Sequence, residues 1–229
     1  MTVERGHRAW QVHVDGHLEA DGLAADLAEV AAGGGGPVFV WVTEPTEGDD
    51  ALAAGAGLAL GRDLYELRVP LPTTDPAPEL EWRPFRAGDE AAWVEVNNRA
   101  FSWHPEQGGW TVELLRERLA EPWVDLDGFL VHERDGRMAG FCWTKVHDDH
   151  DPRLGEIYVI AVDPDFHGLG LGKALTLAGL DWLHRARGID VGNLYVDGSN
   201  TAARRLYEKL GFTPHHVDRA YSGDVAPVP

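Results

Sequence analysis

The chain has 229 residues, 44% of them hydrophobic and 25% charged, which are ordinary globular values with room for one large domain or one and a half. Thirty-eight acidic residues against 20 basic ones leave a formal charge of −18, which argues against nucleic acid and anionic membranes as partners; it reads first as a solvated surface that aids solubility, and it would also welcome a cationic amine. One cysteine, Cys142, excludes an internal disulfide; in the apolar run GFCW it reads as a buried structural thiol ahead of a nucleophile.

No apolar stretch reaches the length of a membrane span, and the start MTVERGHRAW lacks the basic-then-apolar pattern of a secretion signal. The expected location is the cytoplasm and the expected state a monomer. Within residues 1–70, Asp21 to Ala32 is an alanine-rich helical run that Gly33 to Gly36 stop. Pro37 to Val42 reads as a strand, Asp49 to Ala59 as a helix weakened by Gly55 and Gly57, and Asp63 to Val69 as another strand. That order repeats the layout of residues 173–221, with VFVWV against NLYVD, so residues 1–71 are expected to form part of a second, degenerate copy of the downstream unit. Three prolines and no apolar period make residues 72–79 an extended linker.

The main domain is expected over 80–229. Leu80 to Phe85 reads as a strand, Asp89 opens the helix EAAWVEVNNRAF, a loop runs from Ser102 to Trp110, and VELLRERLA is a second helix. GFLVHERDGRMAGFCWTKVH is a hairpin around the turn Asp135-Gly136. A strand ending at Val162, a helix, a strand at Leu194 to Val196, a helix around Tyr207 closed by Gly211, and a strand from His215 to Tyr221 complete the order β-α-α-β-β-β-α-β-α-β.

Between the strand ending at Val162 and its helix lies His167-Gly168-Leu169-Gly170-Leu171-Gly172-Lys173. Strand, glycine turn and helix in that order build an anion site: turn and first-turn N–H groups converge, and the helix dipole favours negative charge. Glycine admits close backbone approach to a phosphate. The spacing fits neither G-x-x-x-x-G-K-[ST] nor a clean G-x-G-x-x-G.

It does resemble the diphosphate-binding signature of the GCN5-related N-acetyltransferases, [QR]-x-x-G-x-[GA], with His167 where that family has Gln or Arg. Downstream, LYVDGSNTAARRLYEKLGF is similar to the family's N-x-x-A-x-x-[LF]-Y-x-x-x-G-F, through Asn200, Ala203, Leu206, Tyr207, Gly211 and Phe212. The resemblance implies the acetyltransferase fold, a mixed and mostly antiparallel α/β (α+β) sheet flanked by helices, and acetyl-CoA as co-substrate without a metal. It assigns the pantetheine arm to the backbone of Ile160, Ala161 and Val162, on a strand that splays from its neighbour. It assigns the diphosphate to His167, Gly168, Leu169, Gly170, Leu171, Gly172 and Lys173, with Asn200, Thr201, Ala202, Ala203, Arg204 and Arg205 as further cofactor contacts. It makes Glu156 the general base, directly or through water, and Tyr207 the acid toward the leaving thiolate.

NNRAFSWHPEQGGWT, GFCWTKVH, LGEIYV, Tyr195-Val196 and HHVDRAY carry a narrower resemblance, over about residues 80–222, to the branch of that family that acetylates the cysteinyl amine of cysteinyl-glucosaminyl-inositol. Those enzymes carry a complete N-terminal unit, so a shortened one is expected here. Glu106, Lys145, Glu156 and Tyr195 are then the acceptor contacts. Trp103 and Trp110 are open to two fates, stacking on a sugar or covering the core. His104, His147 and His150 are scattered over loops without H-x-x-x-H spacing, so no metal is expected; His215 and His216, adjacent on a strand, should face opposite ways. Two other readings stay open: an acetyltransferase for another small amine or a peptide N-terminus, and a non-catalytic acetyl-CoA-binding module.

Overall fold

The computed structural model describes residues 2–6, 9–14, 16–76, 79–104 and 107–228. Contacts divide it into two units: 1–67 with 195–205 and 214–229, and 68–194 with 206–213. Among the described residues no helix is long and apolar enough to cross a membrane.

In the first unit, β1 (Thr2–Arg5) lies antiparallel to β2 (Trp10–Val14), and α1 (Ala20–Ala32) connects β2 to a parallel partner, β3 (Gly36–Thr43). Strand β3 pairs antiparallel with β10 (Thr213–Val225), Val42 opposite Arg219. Val12, Val38, Val40 and Val42 point inward with Leu23 and Val30 of α1 and with Tyr221, forming this unit's core. Strands β1 and β2 fall where the sequence pattern showed no element: TVER and WQVHV are short and half polar, and pairing makes them strands. Helix α2 (Glu47–Gly55) starts earlier and ends earlier than its apolar pattern. A capping box between Thr46 and Asp49 sets its start, and Gly57, at φ 81°, turns the chain so that Ala59 opens β4 (Ala59–Pro70).

The second unit contains β5 (Arg83–Pro84), α3 (Glu90–Ala100), α4 (Val112–Leu119), β6 (Phe129–Arg134), β7 (Arg137–His147), β8 (Leu154–Val162) and α5 (Leu171–Arg187). Strand β9 (Val191–Asp197) and helix α6 (Thr201–Lys209) begin and end, respectively, within it. From β5 to β10 the order is the one read from the sequence. Strand β5 is shorter than LEWRPF suggested, since Pro84 has no N–H to extend a ladder. Strands β5 to β8 are antiparallel neighbours, and α5 carries the chain to β9, parallel to β8. Asp135 and Gly136 both have positive φ, 53° and 72°, as a two-residue hairpin turn between β6 and β7 requires.

Two layers flank this sheet. On one face Trp93 of α3 is fully buried among Trp110, Phe129, Phe141 and Trp143, with centroids 5.1 to 6.2 Å away. On the other, α5 lies close because Gly179 has no side chain: a Cβ there would come within 2.5 Å of Cys142 Sγ.

Asp49 ties α2 to the preceding loop. Its carboxylate, 1% exposed, accepts from the Leu18 and Thr46 N–H groups, each at 2.7 Å, from Thr46 Oγ1 at 2.6 Å and from His17 Nδ1 at 3.0 Å. Burial alone would raise its pKa, but those donors outweigh it and hold the carboxyl at about 2. A depressed folded-state pKa stabilises fully above the unfolded value, near 3.8, and the contribution is lost as pH falls toward 2. Asp49→Ala should cost roughly 2 kcal/mol, leaving several buried donors unmet. In acid unfolding followed by circular dichroism, the wild-type advantage over Asp49→Asn should shrink between those two pH values.

Candidate active site

Strand β8 pairs differently on its two edges. Against β7 it pairs along its whole length, Leu154 opposite His147 through Val162 opposite Gly140, with one irregularity: Trp143 faces Val159, and Thr144 faces Ile157. Tyr158 is therefore the extra residue of a β-bulge. The bulge changes the phase of the strand. Glu156 lies directly across from Lys145, and beyond the bulge Val159 and Ala161 join the core beside Trp93, with Tyr158 packed against the same cluster. Against β9 the register runs only from Leu154↔Val191 to Glu156↔Asn193 and does not extend to Ile157 and Leu194. Beyond Glu156 the ladder between β8 and β9 does not continue. Ile160, Ala161 and Val162 lie on that stretch.

The end of β8 is pinned by charge. Asp163, 1% exposed, accepts from Arg99 Nη1 at 2.9 Å and from the Asp165 N–H at 2.9 Å, while Asp165 meets Arg99 and Arg137 at 2.8 and 2.9 Å. The glycine turn starts from this fixed point. His167 Nε2–H donates to the Val162 carbonyl at 3.1 Å, which assigns its tautomer. Gly168 and Gly170 have φ of 79° and 76°, and a Cβ on either would meet nothing within 4 Å. Glycine is needed there for the backbone angle and for the open space the turn encloses, since no packed neighbour excludes a side chain. Gly170 is the N-cap of α5 and offers no side-chain acceptor, so the first-turn N–H groups point into that space. Lys173 closes the turn and pairs with Asp75 at 2.6 Å. An open strand edge leading to an anion-binding helix start fits an extended molecule with amide groups and a phosphate-bearing end.

Glu156 is the last β8 residue paired on both sides, and it is 7% exposed. His147 Nε2 donates to its Oε2 at 2.7 Å. Lys145, across the ladder from Glu156, sets its ammonium 4.9 Å over the Trp123 ring and 5.8 Å over Tyr158. Tyr207, 7% exposed, lies one residue after Leu206, whose Cδ2 would sit 3.7 Å from a Cβ at Gly172; α6 thus runs beside the glycine turn. Burial, with a smaller push from Cys142, raises the Tyr207 phenol well above its ordinary value, so it is a protonated donor at neutral pH. Cys142 is fully buried, and burial pushes its thiol up as well, which leaves it inert.

Glu156, Lys145, Ile160 to Val162, His167 to Lys173 and Tyr207 all lie in the second unit; Glu156 faces Lys145, and His167 is bonded to Val162. Other expected residues lie in the first unit. Asn200 caps α6, its Oδ1 accepting from the Ala203 N–H at 3.1 Å; Thr201, Ala202 and Arg205 are exposed, and Arg204 stacks over Tyr65 at 4.3 Å. Tyr195 lines a cavity of about 570 Å³ with Gln11, His13, Trp41, Thr43 and Asp218. Glu106 lies outside the described residues. Trp110 packs edge-on against Trp93, while Trp103 is 52% exposed.

Two expectations are corrected. His147 and His150 are not scattered: with Asp149 they bring polar atoms within 4.8 Å of one another, because His147 ends β7 and the chain turns back at once. His215 and His216 do not diverge but converge on Glu66, His216 Nδ1 reaching its carboxylate at 2.9 Å. Glu66 lies on β4, the neighbour of β10 in the sheet, and burial along β10 does not alternate at these positions as it would in a regular pleat. The His147–Glu156 contact was missed altogether. Its only trace is the alternation of Lys145 and His147, meaningful once the β7–β8 register is known.

The family model for the acetyltransferase (GNAT) family matches residues 77–212, and the chain belongs to that family. It is similar to the mycothiol acetyltransferase of Thermobispora bispora, 51% identical over 203 residues, covering 85% of this chain and 68% of that protein. It is also similar to the mycothiol acetyltransferase of Thermomonospora curvata, 51% identical over 193 residues, covering 81% of this chain and 63% of that one. The chain thus spans about two thirds of the length of these curated relatives. A crystal structure of a GCN5-related N-acetyltransferase from Sphaerobacter thermophilus shares the fold, with TM-score 0.68, 23% identity, and coverage of 91% of this chain and 66% of that one.

Gly170→Val should abolish acetyl-CoA binding in calorimetry while the protein stays folded, since a branched side chain fills the cradle and resists φ of 76°. His167→Gln should bind at least as well as wild type, because its amide N–H can reach the Val162 carbonyl that His167 bonds.

Proposed function

We propose that the protein transfers the acetyl group of acetyl-CoA to the cysteinyl amine of cysteinyl-glucosaminyl-inositol, forming mycothiol. The observation that carries this reading is Glu156, a nearly buried carboxylate where β8 parts from β9, in a chain 51% identical over 203 residues to a mycothiol acetyltransferase. When bound, acetyl-CoA supplies an acetyl thioester. The amides of residues 168 to 173 hold its diphosphate, and the open edge at Ile160 to Val162 holds the pantetheine arm. A β8 N–H facing the thioester oxygen takes up charge as the amine attacks. Glu156 accepts the ammonium proton, directly or through water, and Tyr207 gives its proton to the departing thiolate.

Lys145 and Tyr195 are the acceptor contacts we assign among the described residues, with Glu106 beyond them. Trp41 and Tyr195 in the cavity of the first unit, beside Gln11, Thr43 and Asp218, are the aromatic and hydrogen-bonding types that suit a polyol. The single free, buried cysteine is compatible with the reducing cytoplasm, where we place a monomeric enzyme needing no metal. We further read residues 1–71 as half of a degenerate second copy, joined through 72–79 to a catalytic domain over 80–229. The order β2-α1-β3-α2-β4 parallels β8-α5-β9-α6-β10, and β2 with β3 is parallel like β8 with β9. No glycine turn precedes α1, so calorimetry should find one acetyl-CoA per chain, and two would overturn the single-site reading.

Free CoA release assayed with cysteinyl-glucosaminyl-inositol and a panel of other amines tests the acceptor; release with another amine only would sink it. Glu156→Gln should lower kcat by roughly 10²–10⁴ with cofactor affinity intact, and high pH should partly rescue it by supplying neutral amine. Tyr207→Phe should show a smaller defect that high pH does not relieve. Less than a threefold loss in both variants, with wild-type pH profiles, would mean that other groups move these protons.

A further inference from the structure

We infer that His147 is the positioning residue of the acetyl-transfer site, holding the Glu156 carboxylate in place through a direct hydrogen bond. The inference rests on Glu156 as base. A carboxylate at 7% exposure loses most of its hydration, which by itself would favour the neutral acid and weaken it as a base. The hydrogen bond from His147 Nε2 to Oε2, at 2.7 Å, opposes that. It also occupies one oxygen, leaving Oε1 to meet the acceptor ammonium. The geometry is built in by the sheet: His147 and Lys145 lie two residues apart on β7 and so share a face, and Lys145 is directly across from Glu156.

The surrounding charges make His147 the group that acts on Glu156. Lys145 is the other cation in the ladder, but its ammonium is committed to the faces of Trp123 and Tyr158. From the loop after β7, His150 donates to Asp149 at 3.0 Å, its ring 5.5 Å from that of His147, and Asp148 pairs with Arg153. Tyr158 on β8 feels Arg118 and Glu121 from the end of α4 as well as Glu156. On β9 the residue across from Glu156 is Asn193, which is uncharged. Asp149 also lies close to both imidazoles, and His147 is the ring in direct hydrogen-bond contact with Glu156.

No atom is exchanged in this role. Glu156 takes the ammonium proton and returns it to solvent, while His147 keeps its Nε2–H throughout. The consequence is a pH signature. Activity needs the carboxylate, so it fails on the acid side of the profile. Removing His147 takes away a donor that favours the carboxylate, so the acid limb should move to higher pH.

The test compares His147→Phe and His147→Gln, both checked for folding by thermal melts, in pH profiles of kcat/KM with cysteinyl-glucosaminyl-inositol and acetyl-CoA. His147→Phe should shift the acid limb upward by about one pH unit or more and lower the rate at neutral pH roughly tenfold or more. His147→Gln, which keeps an N–H donor but no charge, should recover part of both. An unmoved acid limb in both variants overturns the inference, whatever the rate loss, because packing alone would give that result. Nitrogen-15 NMR of the His147 ring supplies a readout that needs no turnover: the Nε2 signal should move in Glu156→Gln as the 2.7 Å hydrogen bond to the carboxylate is lost, and an unchanged signal overturns the inference. If Glu156→Gln keeps wild-type turnover, the base assignment itself fails and the inference falls with it. Normal loss in Glu156→Gln with wild-type profiles in both His147 variants overturns the inference alone.

Discussion

The structure turns on one strand that cannot satisfy both of its neighbours. Strand β8 follows β7 from end to end but keeps company with β9 for only three residues. The extra residue at Tyr158 links the two facts. A bulge sharpens the local twist, and a strand that twists with one partner swings away from the other. Elsewhere an unpaired edge inside a protein would cost the hydrogen bonds of several peptide groups. In the function we propose, it is the place where an extended ligand would supply them. The same bulge decides the chemistry, because it fixes which side chains face which layer. Glu156, before it, turns toward Lys145 and His147, and Val159 and Ala161, after it, turn into the core.

A split sheet holds its shape only if both faces are stiff. On one face the stacked rings of Phe129 and Trp143, 4.5 Å apart, continue through Trp123 to Tyr158, so the bulge residue is itself part of the aromatic packing. On the other, Gly179 lets α5 settle against Cys142, Thr144 and Ile157, on both sides of the register shift. The strand's far end is fastened by Asp163 and Asp165 to Arg99 and Arg137, partly buried pairs that share charges in a network and so count for more than isolated surface bridges. The strand end and the helix start therefore hold a fixed relation, which a loop of glycines could not impose by itself.

What the sequence made legible was local. The Asp135-Gly136 hairpin, the glycine turn before α5 and the Gly211 stop of α6, at φ 89°, each depend on a few adjacent residues whose backbone angles have one economical solution. The parts that escaped depend on pairing across distance. Nothing in EIYVIAV announces that Tyr158 is surplus, so neither the phase change nor the meeting of His147 with Glu156 follows from spacing along the chain. Strands β1 and β2 were missed for the same reason, and so was the meeting of His215 and His216 with Glu66 of β4, the neighbour of β10 in the sheet. Helix α2 was displaced by a cap, a signal that Thr46 and Asp49 carried openly but that the alanine run outweighed.

A net charge of −18 sits oddly with the anion site we propose, and the resolution lies in range. At physiological ionic strength the field of distant surface carboxylates is screened over about 8 Å, so the many acidic residues act on solubility and encounter more than on a bound group. Within that distance the site relies little on cationic side chains: Lys173 at the turn is already paired with Asp75, and His167 is spent on the Val162 carbonyl. What remains is the set of N–H groups at the start of α5, backed by the dipole of a 17-residue helix. Backbone amides carry no net charge and need no counterion, so an acidic protein can hold them ready without disturbing its surface. The same acidity then suits the proposed acceptor, which arrives as an ammonium and would be neutralised at Glu156.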